Sequence, residues 1–288
     1  DEVLWTVVDI TERVKAKNKI EQLASKLSRY LSPQVYQSIF SGKKNVKIEA
    51  YRKKLTVFFS DIKGFTEITD RLEPEVLSTL LNSYLNEMSK IALKYGGTID
   101  KFVGDAILIF FGDPETKGDK EDAYSCVLMA LEMQERMHHL KNLWEGQGIT
   151  NPLEIRIGIN TGYCNVGNFG SENRFDYTII GGEVNLASRL ESNAMTGQIL
   201  ISQETYALIK KHIVCEKKDE IKVKGIAHKI QTYQVVGSYK NIAQKRKILN
   251  EKFDGFNLNI DLNISKKNKV ITSLENTLKQ LKKDEKSN

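Results

Sequence analysis

The order in which apolar runs and helical patterns alternate between residues 55 and 194 constrains this chain more than any other feature. Leu55-Thr56-Val57-Phe58-Phe59 reads as a buried strand. Pro74 then opens a long helix with Leu77, Leu80, Leu81, Tyr84, Leu85, Met88, Ile91 and Ala92 along one face, and Gly96-Gly97 stops it. Thr98 to Phe102 and Ala106 to Phe111 form two strands of a hairpin turned by Val103-Gly104-Asp105. A second helix from about Glu121 to Leu143, strands at Leu153–Asn160 and Phe175–Ile180, and a helix over Glu183–Ala194 complete a β-α-β-β-α-β order with additions. That order specifies an α+β architecture in which helices cover one face of a mostly antiparallel sheet.

The flanking segments have different compositions. Residues 1–13 contain the β-rich run Val3-Leu4-Trp5-Thr6-Val7-Val8, ending in the helix-start sequence Asp9-Ile10-Thr11-Glu12-Arg13. This stretch resembles the last strand of a PAS-type sensor domain leaving into a signalling helix, and without an initial Met it reads as a cut from a longer chain. Residues 14–46 carry Ile20, Leu23, Leu27 and Tyr30 at 3-4-3 spacing, a narrow seam that fits either a short coiled coil or an ordinary amphipathic helix. Ser32-Pro33 restarts the helix before Ser41-Gly42. Residues 240–288 form a Lys- and Asn-rich extension with an alternating stretch, Phe256 to Leu262, and a helix bearing Ile271, Leu274, Leu278 and Leu281.

Charge and cysteine usage exclude several functions. The net charge is +6, yet the tail from Lys240 holds 12 Lys/Arg against 6 Asp/Glu, so the excess lies there and residues 1–239 are neutral. A nucleic-acid footprint would spread a basic stripe over the body, so no nucleic-acid partner is expected. Cys126, Cys164 and Cys215 lie far apart without a C-x-x-C pair, which argues against disulfides or a thiolate zinc site and for a reducing cytoplasm. The four histidines have no metal-ligand spacing, and no apolar run approaches membrane-spanning length.

Two acidic positions sit where strands meet glycine-containing turns: Asp61 in Phe59-Ser60-Asp61-Ile62-Lys63-Gly64-Phe65-Thr66, and Asp105 in Lys101-Phe102-Val103-Gly104-Asp105-Ala106. A carboxylate in such apolar surroundings is costly unless paired or metal-bound. Two at neighbouring strand ends, about 5 Å apart, can share hard cations. Singly, either is equally a turn former. In Gly181-Gly182-Glu183-Val184-Asn185-Leu186-Ala187-Ser188-Arg189-Leu190-Glu191, Asn185 and Arg189 stand four apart on one helix face, which suits a sugar and a phosphate or simply a solvated surface.

Together with Arg156-Ile157-Gly158-Ile159-Asn160-Thr161-Gly162 and Val223-Lys224-Gly225, these motifs resemble the catalytic domain of class III nucleotidyl cyclases over residues 47–239. Tyr30-Leu31-Ser32-Pro33-Gln34-Val35 resembles the transducer element that precedes such domains. The resemblance implies a ferredoxin-like βαββαβ domain behind a helical transducer. It also implies a homodimer with substrate between head-to-tail subunits, a covalently linked N-terminal sensor, and two Mg²⁺ or Mn²⁺ ions per site. Carried over by motif, Asp61, Asp105 and the Ile62 carbonyl hold the ions, Asn185 orients the ribose, and Arg189 stabilises charge at the α-phosphate. Arg156 and Lys224 grip the terminal phosphates. Lys101 and Thr178 occupy the purine-selecting positions, where a Lys donor and a hydroxyl acceptor complement N1 and N6 of adenine. The expected activity is therefore conversion of ATP to 3′,5′-cyclic AMP and pyrophosphate. A guanylate cyclase stays open because a hydroxyl can both donate and accept. A nucleotide-binding pseudo-cyclase would have lost a carboxylate, the Asn or the Arg, and all are present.

Overall fold

The computed structural model describes residues 11–28, 31–41, 47–149, 152–223, 229–239, 248–253, 256–261 and 267–284. The sensor-like run and Tyr30 lie outside them, and Thr11 to Arg13 begin helix α1 (Thr11–Leu27). Along α1 the seam residues Ile20 and Leu23 are exposed. Helix α2 (Pro33–Phe40) starts where Ser32 caps it, the Ser32 hydroxyl accepting from the Val35 N–H, with Pro33 pre-set for the first turn. Gln34 donates to the Gly97 carbonyl at 2.9 Å, which fixes α2 to the main body.

The core follows the expected order: β1 (Ala50–Ile62), α3 (Phe65–Arg71), α4 (Pro74–Tyr95), β2 (Thr98–Val103), β3 (Ala106–Phe111), α5 (Asp119–Gly146) and β4 (Ile155–Ser171). These are succeeded by β5 (Arg174–Ile180), α6 (Gly182–Asn193), β6 (Ile199–Ser202), α7 (Gln203–Ile209), β7 (Ile213–Lys217) and β8 (Thr232–Ser238). The strands lie in the order β2-β3-β1-β4-β6-β8-β7, with β5 paired to β4. β4 and β6 run parallel, while β1, β2, β3 and β5 make antiparallel ladders. Helix α4 buries Leu80, Tyr84, Met88, Ile91 and Ala92 and leaves its other face wet. Gly96 ends it in a left-handed conformation, φ 84°, that a Cβ would disfavour.

β4 continues eleven residues past the Asn160 at which the sequence reading ends it. The reason is β1, whose thirteen residues pair along β4 from Ile62↔Ile155 to Ala50↔Gly167. Gly167 permits the far end of this ladder, because a Cβ there would lie 2.1 Å from the Glu49 carbonyl oxygen.

A second compact unit comprises residues 212–214 and 237–288. It holds the antiparallel hairpin β9 (Ile248–Phe253) and β10 (Phe256–Asp261), and helix α8 (Lys267–Asp284) with Ile271, Leu274 and Leu278 exposed. No helix among the described residues is long and apolar enough to cross a membrane.

Candidate functional site

β4 organises the site through the period-2 alternation of a strand. Arg156, Gly158, Asn160 and Gly162 all turn toward α6. Arg156 Nε lies 2.6 Å from Glu191 Oε1 on α6. A Cβ on Gly158 would meet the α6 backbone at Glu191 N, and one on Gly162 would meet the Glu183 side chain. Asn160 donates from Nδ2 to Glu183 Oε2 at 2.7 Å. The Arg-x-Gly-x-Asn-x-Gly spacing is therefore a seat for one helix. Seated this way, α6 buries Leu186, Ala187, Leu190 and Glu191 and presents Asn185 and Arg189 to solvent.

Asp61 is cross-strand partner to Arg156, whose Nη2 donates to Asp61 Oδ2 at 3.1 Å. Arg156 also donates from Nη1 to the Ser192 carbonyl, so its guanidinium spans the end of β1 and the last turn of α6. Asp105 stands in the β2–β3 turn, where Gly104 takes φ 64°, and its Oδ2 accepts from the Ile62 N–H at 3.0 Å. Lost hydration, then the hydrogen bond and negative charge of Asp61, push the Asp105 carboxyl up to about 6. Two carboxyl groups thus face each other, and one guanidinium, that of Arg156, lies between Asp61 and Glu191. An all-oxygen pair under such repulsion fits a hard divalent cation. Among the described residues no group of three or more His, Cys, Asp or Glu is placed to hold a metal ion, so such an ion would draw further ligands from phosphate oxygens, backbone carbonyl or water.

Lys101 and Thr178 come together through a residue the motif reading did not include. Thr178 Oγ1 donates to Asp100 Oδ2 at 2.6 Å, and Lys101 Nζ lies 3.5 Å from Asp100 Oδ1. Asp100 is the extra residue of a bulge in β2: Ile99 pairs with Ile109 and Lys101 with Leu108, leaving Asp100 without a partner on β3. Beside it, Tyr177 donates to the buried Asp113 carboxylate, which also takes Tyr51 at 2.5 Å and Lys53 at 2.9 Å. That node ties β5 to β1 and holds the residue next to Thr178.

The structure therefore gathers Asp61, Ile62, Asp105 and Arg156 at one place and joins Lys101 to Thr178 at another, with Asn185 and Arg189 on the open face of α6. Lys224 lies outside the described residues. Sequence reasoning missed Asp100 and Glu191, each a buried acid beside a basic residue singled out for function. The visible sign for Asp100 was an acid inside the otherwise strand-forming Thr98 to Val103.

The family pattern described as "Adenylate and Guanylate cyclase catalytic domain" matches residues 46–237. Among solved structures, the adenylyl cyclase CyaB from P. aeruginosa is 64% identical, covering 67% of this chain and 98% of that one, with a TM-score of 0.65. The guanylyl cyclase Cya2 is 37% identical, covering 66% and 95%, with a TM-score of 0.63. The terminal-differentiation-specific adenylate cyclase of Dictyostelium discoideum is 34% identical over 77% of this chain, which spans only 10% of that protein.

Proposed function

The chain belongs to the adenylate and guanylate cyclase catalytic-domain family, and from that premise we propose that it converts ATP to 3′,5′-cyclic AMP and pyrophosphate in a head-to-tail homodimer. The observation that carries this reading is the Asp61–Asp105 carboxyl pair beside Arg156 at the end of β1, with the Asp105 carboxyl pushed up by lost hydration and by its neighbour Asp61. Asp61, Asp105 and the Ile62 carbonyl would hold two Mg²⁺ or Mn²⁺ ions. Such ions lower the pKa of a bound hydroxyl and neutralise phosphate charge. In the reaction the ribose 3′-oxygen loses its proton and bonds to the α-phosphorus, and the bond from that phosphorus to the β-phosphate oxygen breaks. Pyrophosphate leaves, and no protein nucleophile takes part.

The chain's own side chains supply position and counter-charge. Asn185 and Arg189, on the exposed face of α6, reach the ribose and the α-phosphate of a nucleotide bound against the partner's carboxylates. Arg156 and Lys224 receive the terminal phosphates. Arg156 already lies 3.1 Å from Asp61, so its charge stands where phosphate oxygens and carboxylates must coexist. Lys101 donates to adenine N1 and Thr178 accepts from N6. Helix α1, with its exposed Ile20 and Leu23, would carry the state of an upstream PAS-type sensor into the dimer.

Incubation with ATP or GTP and Mg²⁺ or Mn²⁺, with the product identified by mass, tests this reading. Cyclic AMP is expected as the main product, with a loss of at least about 10³-fold in Asp61→Ala and Asp105→Ala. Near-normal turnover in either variant would remove the carboxylates from the mechanism.

A further inference from the structure

The neighbours in the family act on different purines, so the fold alone does not choose the base, and a threonine hydroxyl can serve either purine until its proton has a fixed direction. Asp100 supplies that direction. Its side chain is 1% exposed. Every group aimed at its oxygens is a donor: the Ile179 N–H at 3.4 Å and the Thr178 hydroxyl at 2.6 Å on Oδ2, and the Lys101 ammonium at 3.5 Å from Oδ1. A backbone amide and an ammonium can only donate, so the carboxylate is the acceptor. The one hydroxyl proton of Thr178 then points at Asp100 and only its lone pairs remain for a ligand.

We propose that Asp100 is a positioning residue for purine choice: it binds the Thr178 proton and makes that hydroxyl an obligate acceptor toward the base, an inference that rests on the cyclase reading above. With Lys101 at N1 and Thr178 at the substituent on C6, adenine meets donor with acceptor at both points. Guanine sets its O6 lone pairs against those of Thr178 and its N1–H against the ammonium. The β2 bulge leaves Asp100 unpaired with β3, and its carboxylate instead meets Thr178 and Ile179 of β5. Removing the carboxylate frees the hydroxyl to rotate and donate to O6, so discrimination weakens while the reacting end of the site is untouched.

The test compares kcat/KM for ATP, GTP and ITP in the full chain. ITP differs from GTP only in lacking the 2-amino group, so the wild type should use it as poorly as GTP. Asp100→Leu keeps the side-chain shape without an acceptor, and should lower the ATP/GTP ratio by about tenfold or more, the loss of one directional hydrogen bond. Asp100→Asn retains an oxygen for Thr178 and should keep most of the ratio. In a Thr178→Val background Asp100→Leu should change the ratio no further. The proposal is overturned by an unchanged ratio in Asp100→Leu, by an equal change in the Val background, or by wild-type use of ITP as good as ATP. The last comparison can overturn the proposal even where Asp100→Leu does not fold. A wild type that forms no cyclic product from any nucleotide would instead defeat the cyclase reading itself.

Discussion

Gly158 is the point at which a single methyl group should damage both stability and activity. A Cβ there would stand 2.1 Å from Glu191 N, 2.3 Å from the Ala187 carbonyl oxygen and 2.8 Å from Glu191 Cα. All three atoms are α6 backbone, so no side chain can swing aside. Restoring an ordinary contact of 3.4 Å requires α6 to lift from β4 by about 1.3 Å. Overpacking of this kind costs about 3 kcal/mol, the upper end of the usual range. In a domain of this size that lowers Tm by roughly 6–12 °C. The catalytic effect should be larger in proportion, because α6 carries Asn185 and Arg189, and a misplacement of about 1 Å costs on the order of 10² in rate. The same movement draws Glu191 from Arg156, its ion-pair partner at 2.6 Å. Thermal melting and cyclic-product formation at saturating nucleotide measure the two effects in Gly158→Ala. Gly182→Ala is the control for stability: nothing lies within 4 Å of its Cβ and it opens α6, so Tm should hold or rise. A Gly158→Ala protein with wild-type Tm and turnover would refute the claim that β4 and α6 touch backbone to backbone.

Two further outcomes are expected. Because Asp105 is raised from 3.8 to about 6 on folding, its protonated form favours the folded state, so the metal-free protein loses stability from this group as pH rises through that window. Asp105→Asn should gain Tm over the wild type above about pH 6 and not near pH 3, and an advantage of the opposite sign would refute the assignment. For the dimer, mixing inactive Asp61→Ala with inactive Arg189→Ala should restore roughly a quarter of wild-type activity under free subunit exchange; no recovery with exchange confirmed by labelled protomers would mean that each chain builds its own site.

What could be read from the sequence was whatever local chemistry decides. Pro74 and Gly96 bound α4 because one fits the first turn and the other tolerates a left-handed φ. The β2–β3 hairpin followed from two apolar runs around a Gly-Asp turn, and Asp61 and Asp105 stood out because charge is expensive among Phe and Ile. The length of β4 was not legible: the strand was ended at Asn160, yet Gly162 and Gly167 beyond it, like Gly158 within it, serve as close contacts with Glu183, Glu49 and α6, and only the paired strand and helix reveal that. Asp100 and Glu191 escaped for the same reason. A buried acid is justified by partners on other elements, Thr178 seventy-eight positions away and Arg156 thirty-five, and a one-residue bulge leaves no mark in an apolar pattern.

The hairpin β2–β3 then has a double duty in the proposed dimer. Its turn holds Asp105, which serves the site built on this chain's carboxylates, while Asp100 and Lys101, a few residues back along β2, serve the site across the interface. The two strands are tied by a ladder from Thr98↔Phe110 to Val103↔Ala106, interrupted at one bulge. In that proposed dimer a displacement of the hairpin would reach the proposed metal-binding end of one site and the proposed purine-selecting end of the other together. Gln34 of α2 donates to the Gly97 carbonyl, immediately before β2 begins. In that proposed dimer a signal arriving through α1 and α2 would act on an element that contributes to both sites, as α6 also does through Arg189 and through the Glu191 that holds Arg156, and would change turnover in the two together.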